Sequence, residues 1–237
     1  MPSVIETAQR SRAEGVTHSR WPERVNALRL TEIFCSLQGE ARDAGAVCTF
    51  IRLTGCPLRC HYCDTAYAFS GGEWQDIDSI VAQVDALGAH HVCVTGGEPL
   101  AQPNASVLVR RLCDAGYAVS VETAGALDIS GVDTRASRVV DIKTPDSGEA
   151  ARNLWKNIDR LTDHDQLKFV ICSRADYEWS RDRVAELTVP QGCTIWFSPS
   201  FGAVDARALG EWIIADRLPV KLQLQLHKEL WGDEPGR

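Results

Sequence analysis

Cys56-Pro57-Leu58-Arg59-Cys60-His61-Tyr62-Cys63 sets three thiols at spacing C-x3-C-x2-C, with an aromatic residue directly before the third. A [4Fe–4S] cube has four irons, each of which normally takes one cysteine thiolate. Three cysteines in one short loop supply three of those ligands and leave the fourth iron open. An open coordination position is what lets a metal centre bind a substrate or cosubstrate directly. A structural zinc site is the alternative, with His61 on hand as a fourth ligand. Zinc ligands, however, usually come as pairs on two separate segments, which this spacing does not provide. A single cysteine taken alone reads as a small buried apolar residue.

Composition limits the classes to consider. The chain has 237 residues, 44% hydrophobic and 24% charged, as in a soluble globular protein of one α/β-barrel-sized domain. A net charge of −7 disfavours a general nucleic-acid binder, which would show a basic face. An anionic substrate would therefore need a local basic group. Nine cysteines at uneven spacing do not suggest a disulfide framework. With no signal peptide at the start and no apolar run of about 18 residues, the expectation is a cytoplasmic protein without a membrane span. A reduced compartment would keep the thiols free.

Working outward from the triplet, residues 1–27 are polar and read as an N-terminal extension, and 28–237 as the folded domain. Leu28 to Leu37 reads as a first strand ending in Gln38-Gly39-Glu40, where glycine allows close approach to a ligand. Val47 to Leu53 leads straight into the cysteine loop. Arg52, near its end, is either a surface ion pair or a bidentate clamp for a carboxylate. Thr65 either bonds its own turn or offers a hard oxygen to Mg²⁺.

Ile77 to Leu87 has helical spacing. The strand Val92 to Thr95 runs into Gly96-Gly97-Glu98-Pro99, where two glycines expose backbone groups and Glu98 can accept from an ammonium. Strands then alternate with helices: strands at 117–121, 138–142, 166–171, 194–197 and 220–225, and helices at 105–115, 150–161, 177–187 and 205–215. That alternation predicts parallel strands with right-handed crossovers. Short apolar strands suggest a sheet covered on both faces. The candidate site residues fall at strand C-termini, where an α/β barrel places its chemistry. His227, after the last strand, is either a satisfied polar residue or a ligand-facing imidazole.

The triplet with Tyr62, followed about 30 residues later by Gly96-Gly97-Glu98-Pro99, resembles the two signature motifs of the radical S-adenosylmethionine (SAM) superfamily. Within it, Leu37-Gln38-Gly39-Glu40, Arg52, Cys63-Asp64-Thr65, Thr95, Glu122-Thr123 and Gln225-x-His227-Lys228 are similar to the 7-carboxy-7-deazaguanine synthase family. The resemblance covers roughly residues 28–233.

That resemblance implies an incomplete TIM-like barrel, a homodimer, and conversion of 6-carboxy-5,6,7,8-tetrahydropterin to 7-carboxy-7-deazaguanine with loss of ammonia. It implies a [4Fe–4S] cluster, SAM, Mg²⁺ and a reductant such as flavodoxin or ferredoxin. Cys56, Cys60 and Cys63 would hold the cluster and Thr65 the Mg²⁺. SAM would meet Tyr62, Cys63, Asp64, Gly97, Glu98, Asp141, Ile142, Lys143, Ser198, Pro199, Ser200 and Phe201. Substrate would meet Leu37, Gln38, Gly39, Arg52, Thr95, Glu122, Gln225 and His227. Ala124 stands where the family often has Asn, and Ser198-Pro199-Ser200-Phe201 departs from the expected Gln-Pro form. The rival readings are an activating enzyme for a glycyl-radical protein and a non-catalytic metal-binding module.

Overall fold

The computed structural model describes residues 26–232, 234 and 236. Nearly all of the expected N-terminal extension therefore lies outside the described residues. Among the described residues nine strands form one open sheet: β1 (Ala27–Leu37), β2 (Val47–Leu53), β3 (Glu73–Asp76), β4 (His91–Gly96), β5 (Ala118–Thr123), β6 (Ser137–Ile142), β7 (Gln166–Ile171), β8 (Thr194–Pro199) and β9 (Lys221–Leu222). Their order is β3-β1-β2-β4-β5-β6-β7-β8-β9. From β2 through β9 every pair is parallel. The two edge strands do not pair with each other, so the barrel is incomplete, as expected.

The expectation of uniformly parallel strands needs a correction. β1 pairs antiparallel with both β2 and β3, because only a short loop (38–46) returns the chain from β1 to β2 and no crossover intervenes. The loop consequently sits at the N-terminal ends of the parallel strands. Its Arg42 amide donates to the Gln166 side chain at the start of β7 at 2.8 Å.

Helices α1 (Ile77–Leu87), α2 (Ala105–Asp114), α3 (Arg174–Glu186) and α4 (Ala206–Asp216) cover the outside. Side-chain caps start three of them: Asp76 accepts from Ser79 N, Ser173 from Asp176 N and Asp205 from Ala208 N. Two apolar clusters form beneath them. Ile51, Val92, Val94, Val119 and Val121 pack with Ile80, Val84, Leu108 and Leu112 of α1 and α2. Val140, Leu167, Phe169, Ile195 and Phe197 pack with Tyr177 of α3 and Leu209 of α4. The alternate residues of the same strands turn to the other face. Covering helices on both faces, as the short strands suggested, are therefore absent among the described residues; the concave face carries polar side chains beside a small apolar cluster of Phe34, Cys48, Phe50 and Cys93.

Two further expectations change. The segment 150–161 forms 3₁₀ turns at Ala150–Arg152 and Trp155–Arg160 in place of a helix. Asn153 bonds both the amide and carbonyl of Lys143 at 2.9 Å, and the Asn157 amide reaches the Gly125 and Leu127 carbonyls, so side chains pin this segment to the strand ends. The last strand stops at Leu222. Gln223 instead bonds both backbone groups of Ala41, and a short helix α5 (Leu226–Trp231) follows, with His227 and Lys228 on it.

One buried pair anchors β6 to the segment before β7. Asp165, fully buried, accepts from Arg138 N at 2.8 Å, Arg138 Nε at 3.0 Å and Thr162 N at 2.7 Å. Burial alone would raise the Asp165 carboxyl, but Arg138 and the amide donors hold it below its ordinary value. Asp165→Ala strands the Arg138 guanidinium and is expected to cost about 3–5 kcal/mol in urea unfolding. A carboxyl held low stabilises the fold above its unfolded pKa and loses that contribution as pH falls, so the variant's stability should respond less to acid than the parent's. A loss under about 1 kcal/mol would contradict this role.

Candidate active site

A cavity of about 1010 Å³ fills the concave side of the sheet. Cys56, Cys60 and Cys63 line it, as do Gln38, Arg52, Thr95, Glu122, Lys143, Gln225 and His227. Its walls follow the alternation of the strands: Phe50 and Arg52 on β2, Thr95 on β4, Glu122 on β5, Val139 and Asp141 on β6, Lys168 on β7. The expectation that site residues sit only at strand C-termini is thus corrected. Gln38, Gly39 and Glu40 enter from the loop after antiparallel β1, at the opposite end of the barrel.

The cysteine loop is placed by two glycines. β2 and β4 pair in register from Cys48↔His91 to Leu53↔Gly96, which brings the strand ends side by side. Gly97 N donates to Leu53 O at 3.1 Å, and Glu98 N to Gly55 O at 2.8 Å. A side chain at Gly97 would begin 2.5 Å from the Gly55 carbonyl and 2.8 Å from Cys56 Cβ, so the backbone approach excludes any other residue.

All three thiols are free and partly buried. Burial pushes the Cys56 thiol up to about 11 and also raises Cys60. Both are therefore protonated at neutral pH without a metal, and ligation would have to displace their protons. Among the described residues no three His, Cys, Asp or Glu side chains converge as on a single metal ion. A cube whose irons each take their own thiolate does not require such convergence. His61 Nδ1 lies 3.1 Å from the Asp146 carbonyl, which fixes the ring against the segment after β6.

Two buried atoms on the same wall, Tyr62 Oη and Asp141 Oδ1, have no protein partner among the described residues. Lys143 Nζ bonds the other Asp141 oxygen at 2.8 Å and lies 5.6 Å from the centre of the Tyr62 ring. Orphaned polar groups beside three free thiols fit a polar ligand next to a cluster. Thr65 makes no side-chain capping bond; its hydroxyl is 3.9 Å from Cys63 Sγ and free to serve a cation together with ligand and water oxygens.

Arg52 is held from one side. Its Nε donates to Glu32 at 2.7 Å, the Tyr67 hydroxyl bonds the same oxygen, and the Phe34 and Tyr67 rings lie 5.9 and 5.8 Å from the guanidinium carbon. Burial would lower its pKa, but Glu32 keeps it raised and charged. Glu122 accepts long bonds from Gln38 Nε2 and Thr95 Oγ1, each 3.4 Å. Burial, then the neighbouring charge of Glu40, raises the Glu122 carboxyl.

Four expected SAM contacts do not line the cavity. Ile142 belongs to the outer apolar cluster, Ser198 is buried with its hydroxyl on Gln223 O at 2.7 Å, and Pro199 is buried beside it. Glu98 is fully buried and accepts from Leu100 N at 2.8 Å, Ala124 N at 2.6 Å and Thr123 Oγ1 at 2.9 Å. A carboxylate so occupied ties the Gly96-Gly97 turn to the end of β5 and does not meet a ligand's ammonium. Asp64, Asp141, Lys143, Ser200 and Phe201 do line the cavity, as do Leu37, Gly39 and Gly97.

The sequence alone did not single out Glu40, Lys168, Cys172 or Lys228 as cavity residues. Lys168 carried a usable signal: it is the one charged residue of β7, at an inward parity. Lys228 Nζ reaches Asp64 at 3.2 Å and thereby joins α5 to the cysteine loop.

A family model described as the Radical SAM superfamily matches residues 50–142. The chain is 42% identical over 210 residues to a 7-carboxy-7-deazaguanine synthase of Chlorobaculum tepidum, covering 87% of this chain and 96% of that one. It is 39% identical over 222 residues to the enzyme of that name in Koribacter versatilis, covering 87% and 98%. Among solved structures, that of QueE from Escherichia coli superposes with a TM-score of 0.72 at 25% identity, covering 85% of this chain and 95% of that one.

The placement of Glu98 has a direct test. Burial pushes its carboxyl up, yet three kinds of protein donor depend on it. Glu98→Ala leaves those donors unpaired and is expected to cost more than about 2 kcal/mol in chemical denaturation, with or without SAM. A variant of unchanged stability that has lost only SAM affinity would return Glu98 to the ligand.

Proposed function

Since the chain belongs to the 7-carboxy-7-deazaguanine synthase family of radical SAM enzymes, we propose that it converts 6-carboxy-5,6,7,8-tetrahydropterin to 7-carboxy-7-deazaguanine with loss of ammonia. The observation that carries this reading is the sharing of one cavity. The three cysteines and Gly97 open onto the same space as Gln38, Arg52, Thr95, Glu122 and His227. Cys56, Cys60 and Cys63 would hold a [4Fe–4S] cluster, with SAM beside Tyr62, Asp64, Gly97, Asp141 and Lys143. Bound there, cluster and SAM would supply one-electron radical chemistry toward the substrate.

The protein's task is then to place one carbon and keep water away. Arg52 is suited to the pterin carboxylate: its guanidinium is fixed by Glu32 and flanked by two rings, so little rotamer freedom is lost on binding. Thr65 would supply one oxygen to Mg²⁺. Glu122, with Gln38 and Thr95 beside it, would meet the ring's amide edge. A carboxyl whose pKa is raised by burial can accept from a ring N–H or, when protonated, donate to a ring oxygen. Gln225 and His227 would lie over the bound ring.

The decisive experiment is anaerobic reconstitution followed by incubation with SAM, a reductant and the carboxytetrahydropterin. Formation of the deazaguanine with 5′-deoxyadenosine is expected. SAM cleavage with the pterin left intact, or a glycyl radical appearing on a partner protein, would overturn the assignment. Omitting Mg²⁺ should lower turnover without changing iron content. Arg52→Ala should keep its iron and lose about a hundredfold or more in kcat/KM for the pterin, as expected when one partner of a buried charge pair is truncated. Unchanged turnover would reduce Arg52 to a partner of Glu32.

A further inference from the structure

Lys168 is the third residue of β7, pairs in register with Asp141 on β6 and Trp196 on β8, and points its ammonium across the cavity to Glu40. The ion pair joins residues 128 apart in sequence, and both side chains are nearly buried, 12% and 11% exposed. The second Glu40 oxygen accepts from Gln225 Nε2 at 2.8 Å. Gln225 is the residue from which α5 starts, and the next amide, Leu226 N, donates to Gly39 O at 2.9 Å. His227 lies directly against Gly39, where any side chain would collide with its ring. Glu40 N in turn donates to Gln38 Oε1 at 3.2 Å, and Gln38 reaches Glu122.

We propose that Lys168 is a positioning residue that, through Glu40, fastens Gln225 and the start of α5 over the substrate side of the cavity. This rests on the assignment of that cavity to the pterin. The physical argument concerns one buried carboxylate. Burial alone would raise Glu40, yet Lys168 and Gln225 hold it down to about 2. Facing it are Lys168 on β7, Gln225 and His227 at the start of α5, and Glu122 on β5; Asp141 on β6 in turn faces Lys168, and Arg52 on β2 faces Glu122. Without the ammonium, Glu40 and Glu122 would be two buried carboxyls that have lost their common lysine. Burial would then raise the Glu40 carboxyl, and on taking a proton it would cease to be a charged acceptor for Gln225. A neutral carboxyl is the weaker anchor for an amide donor, so residues 225–228 would loosen.

Lys168→Met, Gln225→Ala and the double variant separate this role from simple packing. In reconstituted holoenzyme, Lys168→Met is expected to keep its iron content and raise the KM for the pterin by at least about tenfold, more than it lowers kcat. Its KM should also become more sensitive to pH near neutrality than the parent's. Lys168→Arg should restore most of the affinity. Hydrogen exchange at residues 225–231 should speed up in Lys168→Met and in Gln225→Ala, and no further in the double variant, because both break one connection.

Exchange unchanged by Lys168→Met, or additive effects in the double variant, would overturn the proposal. If Lys168→Met fails to fold, the same exchange comparison of Gln225→Ala with Lys168→Arg decides: slow exchange in Gln225→Ala refutes the connection. The exchange readout needs no substrate, so it stands apart from the turnover assay. Parent enzyme that ignores the pterin sinks the functional assignment, whereas exchange that ignores Lys168 sinks this one.

Discussion

The contact between a glycine backbone and a cysteine loop fixes the rest of this molecule. Gly97 can lie against Gly55 and Cys56 only because it has no side chain. The contact is reached only because β2 and β4 run parallel and end together at Leu53 and Gly96. Beneath it, Glu98 gathers donors from Leu100, Thr123 and Ala124, so the same turn also ties down the end of β5. One short motif therefore positions the cysteine loop against three strands. A shift in any of these would move the thiols relative to Arg52, Thr95 and Glu122, which are carried on those strands.

The charges inside the barrel follow a consistent rule. Arg52 has Glu32, Lys143 has Asp141, and Lys168 has Glu40. Each cation is paired from one side while its residue still borders the cavity. Pairing lets a charge persist where burial would otherwise neutralise it. It also fixes each head group before any ligand arrives, which is the preorganisation an anionic, polar ring system would require. A chain of net charge −7 cannot attract an anion by its overall field. The local cations do that work, and their partners keep them from pointing elsewhere.

What could be read in the sequence was what is local. The C-x3-C-x2-C spacing, the Gly-Gly turn after a strand and the helix caps are each encoded within a few residues, and the strand–helix alternation follows from them. The direction of β1 was legible in the length of its connection to β2, since the loop 38–46 is too short for a parallel crossover, but the alternation of strand and helix after it hid that signal. The 3₁₀ turns at 150–161 were missed because Asn153 and Asn157 act on backbone groups 10 and 30 residues away. Glu98 was misplaced because a carboxylate beside two glycines looks the same in sequence whether it faces a ligand or the protein. Lys168 could have been suspected from parity alone: the outward residues Leu167, Phe169 and Ile171 leave it facing inward. Its partner, 128 residues earlier, could not.

That inward parity bears on why the pair exists at all. A buried ion pair is weak evidence for stability, since well-packed apolar residues in its place are often neutral or stabilising. Most apolar contacts of this fold are made on the outside of the sheet, where two clusters join β1, β2, β4 and β5 to α1 and α2, and β6–β8 to α3 and α4. The interior adds only a small apolar cluster of Phe34, Cys48, Phe50 and Cys93, so its lysine, glutamates and arginine are not what holds the sheet to its helices. An interior of polar residues around a cavity of about 1010 Å³ trades packing for a shaped, charged space. The outer clusters supply the stability that this exchange gives up, and the pairing of each interior cation limits how much has to be supplied.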